Sequence, residues 1–401
     1  MKKIIKLALA AALLCCGVNG KNIVNGQNLQ KSGNQEVVSV SVTANVDLQT
    51  HAKSAYLMDF NTQTPVYSYQ ETKRLPIASM CKIMTLLLSF EAIKEGNLGM
   101  DEEICISERA ASMGGSQVFL EANAKYKASE LIKSIVVCSA NDSCVALAER
   151  ISGSESLFVE KMNEKAHEIG AENTLFANCT GLPKDPQYSC AKDVAFMLKS
   201  LLQHEEYYQF GKVWLDKFQH PEGRFTEITN TNKLIRFYEG CDGGKTGFTN
   251  EAGFCLAATA KRDNLRLISV VIGEESSDTR FQDTRTMFDY GFANYTAAPV
   301  VEQGVALTEC ASVIGGKTKN VTVYPERASY AFTRRGEKAN INTDIRFDKI
   351  KAPVEQGAKV GEIIVYRDGV ECDRVPLLAM QAVEKANFFD RLREIAREWN
   401  G

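Results

Sequence analysis

The chain has 401 residues, of which 44% are hydrophobic and 24% are charged, as in an ordinary globular protein with a sizeable core. This length favours two or three structural units over one. The formal net charge is -3 and no block of basic residues occurs, so we do not expect nucleic acid as a partner.

The N-terminus has the layout of a secretory signal peptide. Lysines among the first six residues precede an apolar run over 7–18, and small residues follow up to Gly20. The run is shorter than the ~20 residues that a membrane span needs, and no other stretch is long and apolar enough. We predict a signal peptide over 1–20 and an exported, extracytoplasmic protein. A retained membrane anchor and a lipid-modified Cys15 or Cys16 are the alternatives.

Twelve cysteines are present, and Cys15 and Cys16 lie in the predicted signal peptide. Disulfides are common in exported chains, but here the cysteines are scattered singly and the chain is too large to need such cross-links. Because Cys138, Cys144 and Cys255 have apolar neighbours, we predict that most cysteines are buried thiols. Neither a Cys-x-x-Cys nor a His-Glu-x-x-His pattern occurs, and the chain has only four histidines, so we predict no metal site and no cofactor.

Up to residue 300 the sequence predicts a mixture of helices and short strands. Residues 21–47 are rich in Asn, Gln and Ser and are predicted to be a linker. The elements predicted after the linker are, in chain order, a β-hairpin over 55–70, an apolar helix from Pro76 to a stop at Gly96, two helices joined by a polar loop over 128–151, a helix over 155–171, a hairpin of "GFCLAATA" and "LRLISVVIG", and a helix over 279–295.

The pattern changes near Pro299. Residues 301–383 alternate between apolar and polar positions, and "RDGVE" holds the Asp-Gly pair typical of a tight hairpin, so we predict a separate small β domain. Residues 384–401 are predicted to form an amphipathic helix, whose apolar face carries Phe388, Leu392, Ile395 and Trp399.

The lysine in the apolar helix after Pro76 needs an explanation. Lys82 follows Ser79 by three residues, and residues at i and i+3 share one helix face, so the amine can reach the hydroxyl. Burial disfavours the charged amine, and a neutral amine can accept the serine proton, which makes a nucleophile without histidine. The alternative is a lysine that extends from the helix end to water. Ser-x-x-Lys is common by chance and does not decide between them.

Two further motifs carry polar groups that suit the same chemistry. "SAND" places Ser139 and Asn141 on a loop between helices, where the serine can relay a proton and the amide can hold a substrate. An ordinary turn or helix cap is the alternative for this loop. "GGKTGFT" places Lys245 and Thr246 at a strand edge, where a cation and a hydroxyl suit a carboxylate, and Gly247 lets another backbone come close.

"GGKT" also invites comparison with a phosphate-binding loop. That motif requires a glycine with four residues between it and the Gly-Lys pair, and this position is Glu239. No strand followed by a helix surrounds the motif, so we reject nucleotide binding.

Ser-x-x-Lys, Ser-x-Asn and Lys-Thr-Gly in this order are the signature of penicillin-binding proteins and serine β-lactamases. The stretches "PIASMCKIMT", "SANDSCVALAE", "FANCTGL" and "DGGKTGFTNEAGFCLAATAKR" resemble the low-molecular-mass penicillin-binding proteins that are D-alanyl-D-alanine carboxypeptidases. Cys81 departs from the family, in which threonine is usual, and is expected to face away from Ser79.

The resemblance implies an α/β (α+β) fold. A β-lactamase/transpeptidase-like domain over 48–300, with an antiparallel sheet flanked by helices, is followed by the all-β domain over 301–383 and the amphipathic helix over 384–401.

The resemblance also implies a serine carboxypeptidase that removes the terminal D-alanine from peptidoglycan stem pentapeptides. Ser79 attacks the penultimate D-alanine carbonyl and forms an acyl-enzyme, while Lys82 takes the serine proton. Ser139 passes a proton to the leaving D-alanine, and Asn141 binds the peptide.

The other implied roles concern charge. Lys245, Thr246 and Gly247 bind the end of the substrate that carries the terminal carboxylate. The backbone N–H groups of Ser79 and Phe248 form the oxyanion hole, worth about 3–4 kcal/mol per donor. β-Lactam antibiotics are the implied inhibitors.

Other functions use the same motifs. Serine β-lactamases of the common class carry a Glu-x-x-Leu-Asn pattern, which this chain lacks, and have no use for a C-terminal β domain. A scaffold without activity is disfavoured because all three motifs are intact. An endopeptidase or a transpeptidase remains open.

The C-terminal helix has two interpretations. It lies on the outer face of the cytoplasmic membrane, or it packs on the β domain. Its positive and negative charges balance, so membrane binding would depend on apolar area. The resemblance favours the membrane.

Overall fold

The computed structural model describes residues 46–392. The predicted signal peptide, all but the end of the predicted linker and residues 393–401 of the C-terminal tail lie outside the described residues. The α-helices are α1 (Lys82–Lys94), α2 (Glu108–Ala111), α3 (Ala128–Cys138), α4 (Asn141–Ser152), α5 (Glu155–Glu168), α6 (Ala191–Leu201), α7 (Tyr208–Gly211), α8 (Leu234–Phe237) and α9 (Ser277–Asn294). Short 3-10 helices span Ala78–Cys81, Glu205–Tyr207 and Pro221–Gly223.

Nine strands precede α9 and eight follow it in the part of the chain that the structure describes. They are β1 (Ser54–Asp59), β2 (Pro65–Tyr69), β3 (Glu103–Cys105), β4 (Lys125–Lys127), β5 (Leu215–Gln219), β6 (Phe225–Thr229), β7 (Cys241–Thr249), β8 (Gly253–Arg262), β9 (Leu265–Glu274), β10 (Tyr295–Val301), β11 (Cys310–Ile314), β12 (Asn320–Pro325), β13 (Ser329–Arg334), β14 (Ile341–Phe347), β15 (Ile350–Lys351), β16 (Lys359–Arg367) and β17 (Val370–Ala379).

A five-stranded antiparallel sheet in the order β2-β1-β9-β8-β7 lies at the centre of the first part of the chain. Successive residues of β8 point to opposite faces. Cys255 and Ala257 join a core that includes α1, α4 and α6, whereas Leu256 and Ala258 join the core beneath α9. Helices therefore cover both faces of the sheet, and the edge strand β7 carries the Lys-Thr-Gly triplet.

The helix predicted from Pro76 begins with the 3-10 turn Ala78–Cys81 and continues as α1. Ten of the thirteen residues of α1 are buried, as the apolar residues around its axis predict. Gly96 follows the helix with a φ of 75°, a conformation that glycine adopts without a Cβ penalty.

The second part of the chain is built from β-strands. A six-stranded sheet in the order β14-β16-β17-β12-β11-β15 has a core of aliphatic side chains, and β10 pairs with β13. Asp368 and Gly369 both have positive φ in the β16–β17 turn, as the Asp-Gly pair predicts. β10 begins directly after α9, so this strand spans the predicted boundary at residue 300.

The cysteines agree in large part with the prediction of buried thiols. All ten in the described residues are free, and six of them are buried. Cys138 is partly buried, and Cys105, Cys310 and Cys372 are exposed. In the described part of the chain, no helix has the length and apolar character needed to cross a bilayer.

Candidate active site

Ser79 lies in the 3-10 turn, and Lys82 is the first residue of α1. Side chains at i and i+3 of a 3-10 turn are aligned, which explains why Lys82 Nζ lies 2.9 Å from Ser79 Oγ. Lys82 Nζ also donates to the carbonyl oxygen of Thr180 at 2.5 Å. Lys82 is buried and Ser79 is partly exposed, so the amine points at the hydroxyl and does not extend to water.

A second buried amine contributes to the electrostatics of this site. Burial lowers the pKa of Lys82. Burial and, next in size, the positive charge of Lys82 lower the pKa of Lys245 well below its usual value. No carboxylate is among the groups that act most strongly on either amine. A ligand carboxylate would supply the missing negative charge and favour a protonated amine.

Ser139 and Asn141 lie where α3 ends and α4 begins. Ser139 adopts the left-handed conformation, with a φ of 67°, and its buried Oγ has no hydrogen-bond partner among residues 46–392. Asn141 Nδ2 donates to the carbonyl oxygen of Gly114 at 2.7 Å, whereas its buried Oδ1 also lacks a partner within this range. Unpaired buried polar atoms are costly, so both groups are poised to bond a ligand.

The Lys-Thr-Gly triplet lies on β7, next to the 3-10 turn. A Cβ at Gly247 would stand 2.7 Å from the carbonyl oxygen of Ile77 and 3.2 Å from the backbone nitrogen of Ser79. Only glycine permits this approach of β7 to the nucleophile. Phe248, the next residue, is half exposed, and its ring lies against Phe254 on β8.

A chain of hydrogen bonds links β7 to the Ser139 loop. Thr246 donates its hydroxyl hydrogen to Thr231 Oγ1 at 2.8 Å, and the Thr231 N–H donates to the carbonyl oxygen of Val137 at 3.0 Å. Val137 precedes Ser139 by two residues. The fold therefore brings all three predicted motifs together, although they are far apart in the sequence.

Several residues that hold this site were not predicted. Asn178 Oδ1 accepts the N–H groups of Thr180 and Gly181, at 3.1 Å and 2.7 Å, and so fixes the carbonyl that receives Lys82. Gly181 packs against Ala78, where a Cβ would overlap the Ala78 carbonyl. The stretch "FANCTGL" contains these residues and contributed to the resemblance, but the sequence did not indicate what they contact.

Arg280 is a second unpredicted contributor. It is buried on α9, and its guanidinium donates to the carbonyl oxygens of Gly247 at 3.2 Å and Cys255 at 3.4 Å. It therefore holds β7 from the face opposite Ser79. Cys81 is buried, and its thiol donates to the carbonyl oxygen of Asn178.

A protein-family model described as D-alanyl-D-alanine carboxypeptidase matches residues 39–276. The chain belongs to this family. A second model, the C-terminal domain of penicillin-binding protein 5, matches residues 295–385, which contain the β-strands from β10 to β17. The predicted family and fold class are confirmed, and the chain is a serine peptidase of the penicillin-binding, cell-wall class.

Individual relatives of this carboxypeptidase family match most of the chain. D-alanyl-D-alanine carboxypeptidase DacF of Bacillus subtilis is 38% identical over 88% of this chain and 91% of its own length. The crystal structure of penicillin binding protein 5 from Haemophilus influenzae is 28% identical, with a TM-score of 0.65, over 84% of this chain and 98% of that chain. The crystal structure of a peptidoglycan synthesis regulatory factor, PBP3 from Streptococcus pneumoniae, is 28% identical, with a TM-score of 0.68, over 84% of this chain and 100% of that chain.

Proposed function

We propose that the chain removes the terminal D-alanine from peptidoglycan stem pentapeptides through an acyl-enzyme on Ser79. The contact between Ser79 Oγ and the buried Nζ of Lys82, 2.9 Å apart, is the observation that carries this proposal. It pairs a partly exposed hydroxyl with an amine whose pKa is lowered by burial.

Acylation begins with proton transfer between these two side chains. Lys82 in its neutral form accepts the Ser79 proton while Ser79 Oγ bonds to the carbonyl carbon of the penultimate D-alanine. The bond to Thr180 leaves the lone pair of the neutral amine free to face Ser79. The resulting oxyanion is stabilised by the backbone N–H groups of Ser79 and Phe248, which the close approach of Gly247 holds together.

Substrate binding and base activation are coupled through the two amines. The terminal carboxylate binds Lys245 and Thr246, and its negative charge favours the protonated form of Lys245. A protonated Lys245 in turn disfavours a positive charge on Lys82, because the two buried amines repel each other. Carboxylate binding thus keeps Lys82 neutral when the carbonyl is in place.

Departure of D-alanine returns the proton. Lys82 gives it up through the unpaired hydroxyl of Ser139 to the leaving amine nitrogen, and the C–N bond breaks. The unpaired Oδ1 of Asn141 accepts a backbone N–H of the stem peptide. Water then hydrolyses the Ser79 ester and regenerates the enzyme. β-Lactam antibiotics, which carry a carboxylate and a reactive amide, acylate the same serine and inhibit the enzyme.

We place this reaction outside the cytoplasm, at the outer face of the cytoplasmic membrane. The signal-peptide pattern over 1–20 and the peptidoglycan substrate support export. The predicted C-terminal helix supports attachment. Its described part begins at Phe388 and not at residue 384 as predicted, since Lys385 pairs with Gly316 of the β domain, and Phe388 and Phe389 are 71% and 70% exposed.

The test is release of D-alanine from a peptide that ends in Lys-D-Ala-D-Ala. We expect release by the wild-type chain and its loss in Ser79→Ala. Ser89→Ala is the matched control, because it removes a buried hydroxyl from the same helical segment. No release from a folded wild type, or equal release by Ser79→Ala, would contradict the proposal. Penicillin turnover on the same sample would then identify a β-lactamase.

A further inference from the structure

Three side chains that the carboxypeptidase mechanism does not use meet near the end of β9 and the start of α9. His51 precedes β1, Glu274 ends β9 and Asp283 lies on α9. One ligand atom from each, the imidazole nitrogen or a carboxylate oxygen, lies within 4.8 Å of the others. Because His51 precedes Asp283 by 232 residues, no spacing motif in the sequence indicates the cluster.

Glu274 is the unusual member of this cluster. It is 1% exposed, and neither of its carboxylate oxygens has a hydrogen-bond partner in the part of the chain that the structure describes. The nearby Thr279 hydroxyl is already used, since it accepts the Ser276 N–H at 3.2 Å and donates to the Ser276 carbonyl at 3.0 Å. Burying a carboxylate without a partner costs free energy of folding, which indicates that a positively charged group binds Glu274.

Among residues 46–392, no lysine or arginine forms an ion pair with Glu274 or Asp283, and the only charged partner of this pair is His51, when its imidazole is protonated. Asp283 receives the backbone N–H of His51 at 2.5 Å and lies 3.3 Å from the His51 imidazole nitrogen. Lys53, which is close in the chain, packs its alkyl carbons over Gly273 and has no ion pair with a described carboxylate.

We propose that His51, Glu274 and Asp283 bind one zinc ion. An imidazole and two carboxylates are ligands that Zn²⁺ accepts, with bonds of about 2.0–2.2 Å, and the imidazole disfavours Ca²⁺ and Mg²⁺. Tetrahedral bonds of this length hold ligand atoms about 3.4 Å apart. The side chain of His51 is 59% exposed, so its imidazole is free to move until the ligand atoms reach this separation. Its exposure also leaves the fourth coordination position open to water.

A zinc ion here ties the segment before β1 to α9. His51 lies next to the predicted linker over 21–47, and α9 also carries Arg280, which holds the carbonyl of Gly247. The proposed role is therefore structural: the ion links the segment that precedes β1 to α9, the helix behind the active site. It supplies a positive charge to two buried carboxylates and takes no part in proton transfer at Ser79.

The test is calorimetric titration of the purified chain with ZnCl₂ after treatment with a chelator. The exposed thiols also bind zinc, so Cys105, Cys310 and Cys372 are replaced by serine in every sample. We expect one zinc ion per chain, and at least tenfold weaker binding in His51→Ala, Glu274→Gln and Asp283→Asn. Glu275→Gln and His167→Ala, which alter exposed residues, are the controls and should bind as the parent does.

Thermal unfolding with and without zinc keeps the proposal testable if a variant is altered in folding. Zinc should raise the Tm of the parent and of both controls, but not that of Glu274→Gln, because only a bound native state is stabilised. Equal zinc affinity in the parent and in Glu274→Gln would overturn the proposal. So would stabilisation by Ca²⁺ but not by Zn²⁺, or absence of zinc binding by the parent, in which case the carboxyl groups share a proton.

Discussion

The backbone of Gly247 lies against the backbone amide of Ser79, so close that a Cβ at residue 247 would stand 3.2 Å from the Ser79 nitrogen. This contact joins the strand that carries the Lys-Thr-Gly triplet to the turn that carries the nucleophile. The two N–H groups assigned to the oxyanion hole, those of Ser79 and Phe248, belong to these two segments. The separation of the segments therefore sets the width of the hole.

We expect Gly247→Ala to acylate with penicillin about 10²–10³ times more slowly than the wild type, as when one oxyanion donor is lost. The added methyl group would push β7 away from Ile77 and Ser79. Stopped-flow acylation with a fluorescent penicillin measures the rate. Gly114→Ala is the control, because a Cβ there meets no atom within 4 Å. A Gly247→Ala protein that acylates at the wild-type rate would show that the hole does not depend on this contact.

The buried amine of Lys82 predicts a pH dependence. Its neutral form is the base, and burial lowers its pKa, so the acylation rate should rise with pH and level off below the ordinary lysine pKa of 10.5. Lys82→Arg should lose at least ~10² in rate at every pH, because a guanidinium does not deprotonate. Lys94→Arg, at the exposed end of the same helix, should keep the wild-type profile. A flat profile for the wild type would rule out Lys82 as the titrating base.

The sequence predicted Ser79 and Lys82 as a pair because their interaction is local. In any tight helix, two side chains that are three positions apart lie on the same face, and the apolar neighbours of Lys82 indicate that it is buried. The predicted helix has two parts, since Ser79 lies in a 3-10 turn that precedes α1. The turn improves the alignment of the two side chains that the prediction required. Hairpins were likewise predictable, because β-strand alternation and Asp-Gly turns are local signals.

The supporting residues could not be predicted in the same way. Thr180 meets Lys82 and Arg280 meets Gly247 only because the chain folds back, and no spacing rule connects such residues. A buried arginine on α9 has no sequence signal that separates it from a surface arginine. The cluster at His51 is the clearest case, since metal-site patterns require ligands close in sequence and these lie on β9, α9 and the segment before β1.

The position of Asn141 predicts a specific effect of a distant glycine. A Cβ at Gly115 would stand 2.8 Å from Asn141 Nδ2 and displace the amide. Gly115→Ala and Asn141→Ala should each lower kcat/KM for the peptide about tenfold or more, and the double variant should be no worse than Asn141→Ala. Gly153→Ala is the matched control: its φ of 79° is similar to the 77° of Gly115, but no atom lies within 4 Å of the new Cβ.

This control separates backbone strain from displacement of the amide. Gly115→Ala and Gly153→Ala each place a side chain in the left-handed region of φ and should each lose some stability. Only Gly115→Ala should lose turnover. Effects of Gly115→Ala and Asn141→Ala that add in the double variant would show that the glycine acts independently of Asn141.

The C-terminal helix gives a prediction about membrane binding. Deleting 384–401 should release the protein from membranes, but the deletion also removes backbone contacts of Glu384 and Lys385 with the β domain. Replacing Phe388 and Phe389 by serine avoids this loss, because both rings are exposed. Each phenylalanine that inserts contributes about 1.5–3 kcal/mol by apolar burial, so the double variant should bind lipid vesicles at least tenfold more weakly.

Co-sedimentation with vesicles of neutral and of anionic lipid measures this binding. The charges of the helix balance, so the anionic lipid should add little affinity for the wild type. Phe225→Ser is the control, because it removes an exposed phenylalanine from β6 in the first part of the chain. If the double variant sediments as the wild type does, the helix is not the membrane anchor. If Phe225→Ser is released equally, exposed apolar area in general causes the binding, and the assignment to the helix fails.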